Sequence, residues 1–277
     1  MTSKSCYIMG LPSAGKTTFL AALAFSLQQK KTDTKLQWDN YDGDHQYITN
    51  LTTQWLRADP IDRTNISLQQ QKIRLVLSDE NNNYIVTFPD LSGEIFQSQY
   101  KDREMDLFSS DTIKECDGIL LFINPNNIKE TTFISSMPSE YRNNGDDRKE
   151  RNAIDDPTEV QLVELLQFVA HIRNKPVTLV VVISAWDLID GQHHIPEEYL
   201  KKQVALLWQY LFCNKDKFKT VYYGVSAQGD ELDSEEKRED IVSKNENNPV
   251  ERILVIDNEG NKCHDISLPL WYAMNIN

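Results

Sequence analysis

Residues Gly10-Leu-Pro-Ser-Ala-Gly15-Lys16-Thr17 restrict this chain more than any other stretch. The spacing lets a backbone curl round a phosphate. Gly10 and Gly15 permit the bend, and the N–H groups of the loop and of the following helix supply positive potential. Lys16 would reach the β- and γ-phosphates of a nucleoside triphosphate, and the Thr17 hydroxyl would ligate Mg²⁺. The pattern requires a buried strand before it and a helix after it. Residues 5–9 read as that strand and residues 17–29 as that helix, with Phe19, Leu20, Leu23, Ala24 and Leu27 on one side. Gly10, Pro12, Ser13, Ala14, Gly15, Lys16, Thr17 and Thr18 are therefore the expected phosphate contacts.

Further along, residues 35–65 are polar, with Trp38 and Trp55 among them and a weak helical pattern over 47–57. Residues 66–77 and 84–88 alternate as strands about the turn Asn81-Asn82-Asn83, which predicts an antiparallel hairpin. Strands follow at 118–123, 177–184, 220–225 and 252–256, and helices at 157–174, 196–212 and 266–274. The polar stretches at about 124–156 and 228–250 read as surface insertions. Strands alternating with helices predict one domain over residues 1–277, a three-layer α/β/α sandwich whose sheet is mostly parallel with one antiparallel edge strand. Ligands in such sheets bind beyond the carboxyl ends of the strands.

Composition narrows the classes. A net charge of −13 argues against a broad surface for nucleic acid or anionic lipid, both of which need clustered Lys and Arg. Cys6, Cys116, Cys213 and Cys263 form no CxxC pair, so neither a zinc ribbon nor a disulfide framework is indicated. The apolar runs, such as 177–185, are too short to span a bilayer, and Met1 leads into the first strand without an apolar leader, so a cytoplasmic location is expected.

More motifs fall at predicted strand ends. Asp90-Leu-Ser-Gly93 has the DxxG form, in which the Asp holds Mg²⁺ through water and the Gly93 N–H senses a γ-phosphate. Ser184-Ala185-Trp186-Asp187 ends the most β-branched strand and resembles the guanine-reading NKxD motif with its Asp kept. The Asp187 carboxylate can accept two hydrogen bonds from guanine and none from the matching edge of adenine. Ser226-Ala227 resembles the SA-type motif whose backbone N–H contacts the guanine O6.

In this order the motifs resemble the TRAFAC (Ras-like) GTPases. Asp90-Leu-Ser-Gly-Glu94, Ala185-Trp-Asp-Leu and Asp265-Ile-Ser-Leu-Pro-Leu-Trp271 are similar to the bacterial double-GTPase group associated with conflict and defence systems. The resemblance implies a Ras-like domain binding GTP or GDP with Mg²⁺ and hydrolysing GTP as a switch on a protein partner. It places a switch-I threonine in the polar stretch before the hairpin. Thr64 is preferred to Thr52 and Thr53, and Arg63 beside it is a candidate transition-state arginine. Glu94 stands where a water-orienting Gln is common, and Ser184 and Ala185 replace the motif's Asn and Lys. Slow hydrolysis without a partner is expected. Two other readings stay open: a non-hydrolysing nucleotide-binding assembly module, and a P-loop ATPase or kinase with Arg142, Arg148 and Arg151 in a lid. His193-His194 reads as loop rather than a metal pair.

Overall fold

The computed structural model describes residues 3–29, 34–42, 45–61, 73–89, 91–130, 152–189, 191, 195–244 and 246–276. Strands β1 (Ser3–Met9), β4 (Asn83–Phe88), β5 (Gly118–Ile123), β6 (Val177–Ser184) and β7 (Phe218–Ser226) lie parallel to one another. β5 and β6 are buried at every position, as strands covered on both faces must be. Their side chains alternate between two cores. Ile8, Leu120, Phe122, Val180 and Val182 face one, while Tyr7, Met9, Leu121, Val181 and Ile183 face the other.

The first core is roofed by α1 (Lys16–Gln28), α2 (His45–Leu56) and α9 (Leu268–Asn275). The second is roofed by α3 (Glu94–Asp102), α4 (Leu107–Glu115), α5 (Thr158–Ile172), α6 (Pro196–Gln203) and α7 (Ala205–Cys213). The result is the expected three-layer α/β sandwich. α1 is buried nearly all round because α2 covers its outer side, with Phe25 and Trp55 at 4.9 Å between ring centroids.

Several elements differ from the sequence expectation. Among the described residues the sheet has nine strands, in the order β2-β3-β4-β1-β5-β6-β7-β8-β9. Both ends are antiparallel, not one. β2 (Gln37–Asp42) and β3 (Ile73–Ser78) extend the hairpin side, and β8 (Leu254–Ile256) with β9 (Lys262–Cys263) extends the other. β2 sits at an edge, so its polar sequence carried no apolar alternation to detect. Helices α3 and α4 also escaped the reading, because few of their residues are apolar. Asp106 caps α4 by accepting from the Ser109 N–H at 3.0 Å, a local signal that was available. The expected helix 196–212 is two helices. The backbone leaves helical geometry at Val204, which lets Leu200 of α6 and Leu207 and Leu211 of α7 all reach the core.

The acidic stretch after β7 carries α8 (Glu235–Lys244), whose Ile241 is buried. Most of the other polar stretch, residues 131–151, lies outside the described residues, as do Arg142, Arg148, Arg151 and the His193-His194 pair. No helix among the described residues is long and apolar enough to cross a membrane.

α9 approaches β5 so closely that a Cβ on Gly118 would collide with the Ala273 carbonyl. Gly118→Ala must therefore push α9 off the sheet and should cost about 1–3 kcal/mol, as overpacking does. Urea denaturation reads this directly. An unchanged midpoint would show that α9 is not seated on β5.

Candidate functional site

The phosphate loop joins β1 to α1 at the carboxyl edge of the parallel strands. Ser13 (φ 62) and Gly15 (φ 92) are both left-handed, so successive N–H groups turn to the same side and form an anion nest. Gly15 is the N-cap of α1, and the helix dipole adds to the nest. Both glycines are required by close contact. A Cβ on Gly10 would lie 3.0 Å from Phe122 Cβ, and one on Gly15 would lie 2.8 Å from Ser184 Oγ. Ala14 is buried, and its N–H donates to the Leu11 carbonyl at 3.2 Å.

Lys16 is only 2% exposed. Its ammonium donates to the carbonyls of Gly10 at 2.6 Å and Leu11 at 3.0 Å, and lies 5.8 Å from the Phe96 ring centroid. The cation is thus held at the mouth of its own loop. Thr17 and Thr18 follow in the first turn of α1 and are half-buried. Gly93 (φ 82) caps α3 and rests on the loop, since a Cβ there would lie 2.6 Å from Pro12 N and 2.7 Å from Lys16 Nζ. Glu94, next along, is exposed, and its N–H donates to Ser92 Oγ at 3.2 Å.

Asn124 and Asn127 were read from sequence as the start of a surface insertion, and the structure corrects that. Both side-chain amides donate to the Ser13 carbonyl, at 3.0 and 2.9 Å, from a turn that directly follows β5. They hold the strained residue of the phosphate loop in place. Two asparagines straight after a buried strand, at its ligand-facing end, were the available sign.

The β6 end supplies the next part. Ser184 touches Gly15 and donates to the Ile123 carbonyl at 3.3 Å. Ala185 is left-handed at φ 47, which turns Asp187 back toward the sheet edge. The Trp186 indole is fully buried. It lies over Gly224 and meets Tyr199 edge-on at 6.2 Å, so it serves the core and leaves only backbone to offer a ligand. Asp187, in the turn that follows β6, lies beside Ser226 at the end of β7. Burial raises the Asp187 carboxyl above the ordinary aspartate range, the Ser226 hydroxyl offsets part of this, and Asp230 and Glu231 push the same way as burial. The Gly229 N–H donates to Ser226 Oγ at 3.0 Å, fixing that hydroxyl in turn.

Ala227 makes a contact that sequence reasoning missed. Its carbonyl accepts from Trp55 Nε1 at 2.7 Å, across 172 residues of sequence. Arg252, 6% exposed, lies over the Trp55 ring at 3.5 Å and donates to the Trp55 carbonyl at the end of α2. A cation at a helix C-terminus is favourable. Loss of solvent lowers this guanidinium to about 10. The SA-type turn and α2 are thereby joined. Thr52 and Thr53 lie inside α2 and bond back to the Thr49 carbonyl at 3.0 and 2.8 Å. Arg63, Thr64 and Asp90 lie outside the described residues.

A family model described as Double-GTPase 1 matches residues 7–273. A search of curated proteins returns no match. Among solved structures, the chain is similar to the G domain of the T. maritima FeoB iron transporter, at 14% identity and TM-score 0.31, covering 87% of this chain and 98% of that one. It is similar to the Arl6 small GTPase from Trypanosoma brucei at 8% identity and TM-score 0.39, covering 88% and 96%. It is also similar to the GTP-bound S. cerevisiae Ski7 GTPase-like domain at 15% identity and TM-score 0.40, covering 82% of this chain and 43% of that one. TM-scores this low leave the family match to carry the identification.

The raised Asp187 carboxyl makes a stability prediction. A raised folded value means that the charged form is disfavoured by folding, so its cost is present at neutral pH and absent below the unfolded value of 3.8. Asp187→Asn should melt higher than the parent at pH 7, with the gain shrinking as pH falls and gone below about 3.8. A variant that melts lower at every pH would make the carboxylate a structural one.

Proposed function

Because the chain belongs to the Double-GTPase 1 family, a group of P-loop GTPases, we propose that it binds GTP and hydrolyses it slowly to GDP and phosphate, acting as a switch on a protein partner. The observation that carries this reading is the half-buried Asp187 carboxyl beside the Ser226 hydroxyl, on the same sheet edge as buried Lys16. A half-buried carboxylate beside one hydroxyl still has lone pairs to satisfy. The guanine N1–H and exocyclic amine would supply donors, and adenine would present a bare ring nitrogen instead. Among the described residues no equivalent feature supports the ATPase reading, whose arginines lie outside them.

The phosphates would lie in the nest of residues 10–18, with Gly10, Pro12, Ser13, Ala14, Gly15, Thr17 and Thr18 giving backbone or hydroxyl contacts. Lys16 would neutralise charge between the β- and γ-phosphates. The left-handed loop and the buried ammonium fit such a ligand. Ala185, the Trp186 backbone and the Ser226-Ala227 turn would surround the base. Thr17 would ligate Mg²⁺, with Thr64 and Asp90 as the further ligands that the resemblance implies. When bound, the ion supplies charge neutralisation at the phosphates. In hydrolysis, water attacks the γ-phosphorus as the bond to the bridging oxygen breaks, leaving that oxygen on GDP. Glu94 would orient the water. Its negative charge also opposes the γ-phosphate, which is one reason for a slow rate. Arg63 is the proposed cis arginine, a group worth roughly 10³–10⁵ in rate where present. A role in bacterial defence rests on the family resemblance.

Two experiments test this. Lys16→Ala should lower nucleotide affinity at least about a hundredfold, since a charge-assisted contact to phosphate is lost from a buried site; wild-type affinity in a titration would move the site elsewhere. Asp187→Asn replaces an acceptor with a donor, and xanthine carries an oxygen where guanine has its amine. Fluorescent-nucleotide titration should show GTP affinity lost and XTP affinity gained in the variant. A wild-type preference for ATP, or full GTP affinity in the variant, would return the reading to an ATPase. GTP binding with no phosphate release under any condition would favour the assembly module.

A further inference from the structure

One edge of the sheet is left open in its middle. β8 pairs with β7 only at Gly224, Val225 and Ser226. At Asp257 the chain turns through Gly260 (φ 84) into β9, which lies on the far side of β8. β7 itself runs back to Phe218, paired with β6 along its length. The Val177 N–H bonds to the Lys217 carbonyl at 3.0 Å, which fixes the phase of the ladder. In a parallel ladder, alternate residues direct both backbone groups to the same neighbour. Lys217, Lys219 and Val221 therefore serve β6, and Phe218, Thr220 and Tyr222 direct their N–H and C=O groups outward. The Phe218 N–H is already taken by the Asn214 carbonyl at 3.0 Å, which leaves the Phe218 C=O and both groups of Thr220 and Tyr222. Gly224 and Ser226 share that outward phase and meet Ile256 and Leu254 of β8, which agrees. No described strand takes the outward groups from 218 to 222.

The same stretch lines a groove of about 360 Å³ whose opposite wall is Leu211, Phe212 and Glu197. Thr220 Oγ1, in this lining, is buried without a hydrogen-bond partner. Phe212 is 51% exposed, is stacked on Trp208 at 5.0 Å, and has Lys215 Nζ over its ring at 4.0 Å. Lys215 and Lys219 line this groove and are exposed, in a chain whose net charge is −13, while Lys217 beside them is paired with Asp216 at 3.9 Å.

We propose that the β7 edge from Phe218 to Tyr222 is a docking site for an extended, acidic segment of another protein, which adds as a strand and seats one large apolar side chain in the groove beside Phe212. Strand addition satisfies the outward backbone groups. The lysines choose the partner, because they attract carboxylates and set like charges against each other if two copies of this chain pair edge to edge. The inference stands apart from the nucleotide site and is tested without nucleotide.

The test is selection of phage-displayed random decapeptides on the immobilised full chain, followed by titration of the selected peptides. The expected peptides carry Asp or Glu, β-branched residues and one large apolar residue. Thr220→Pro removes an outward N–H without touching the β6 ladder, and should weaken them about tenfold or more. Lys219→Glu should weaken them several-fold, and added salt should do the same. N-methylating alternate backbone nitrogens of the peptide, in each of the two phases, should abolish binding in one phase. This last measurement decides the matter if Thr220→Pro fails to fold. No enrichment, basic peptides, or affinity indifferent to both Thr220→Pro and N-methylation would overturn the proposal. So would a dimer in sedimentation that Lys219→Glu leaves intact, because the occupant would then be a second copy.

Discussion

Burial of β1, β5 and β6 on both faces is the constraint on which the rest of the molecule depends. A parallel strand has no short way back, so each connection must cross a face of the sheet, and each face is filled by the helices that do so. With the strands aligned, their carboxyl ends share one edge. The phosphate loop follows β1, Asn124 follows β5, Asp187 follows β6, and Ser226 ends β7. None of these residues is near another in sequence except within its own turn. The sheet alone brings them together.

At that edge, the groups hold one another in a sequence of contacts. Asn124 and Asn127 bind Ser13, Gly15 meets Ser184, and Asp187 meets Ser226. Gly93 closes over Lys16 from the other side. Several of these features work against stability: a left-handed serine, a left-handed alanine, a buried ammonium and a half-buried carboxylate. A core optimised for folding would carry none of them. Lys16 and Asp187, two charged groups drawn from solvent at one edge, are what a binding site shows.

The sheet core and the phosphate loop were legible in the sequence because each has a local cause. The unbroken apolar runs at 118–123 and 177–184 match β5 and β6 at both ends, and the glycine spacing fixed the loop. Elements at the periphery were not legible. β2 and β9 take their structure from pairing partners distant in sequence, which no local pattern records. α6 and α7 read as one helix because the reason for the break at Val204 lies in what the two halves bury. The same holds for the site. Asp187 was found from its motif, but its link to Ser226 and the Trp55–Arg252 contact behind Ala227 are tertiary facts.

The pinned carbonyl of Ser13 has a kinetic consequence. A left-handed conformation costs a non-glycine residue about 1–2 kcal/mol, and the fold, through Asn124 and Asn127, meets that cost before any ligand arrives. An incoming polyanion then finds the loop already shaped, so its capture is governed by encounter rather than by loop ordering. The encounter itself takes place in the field of a chain with net charge −13. For such a pair the long-range force is repulsive, and ions in solution shorten its reach to about 8 Å at physiological strength.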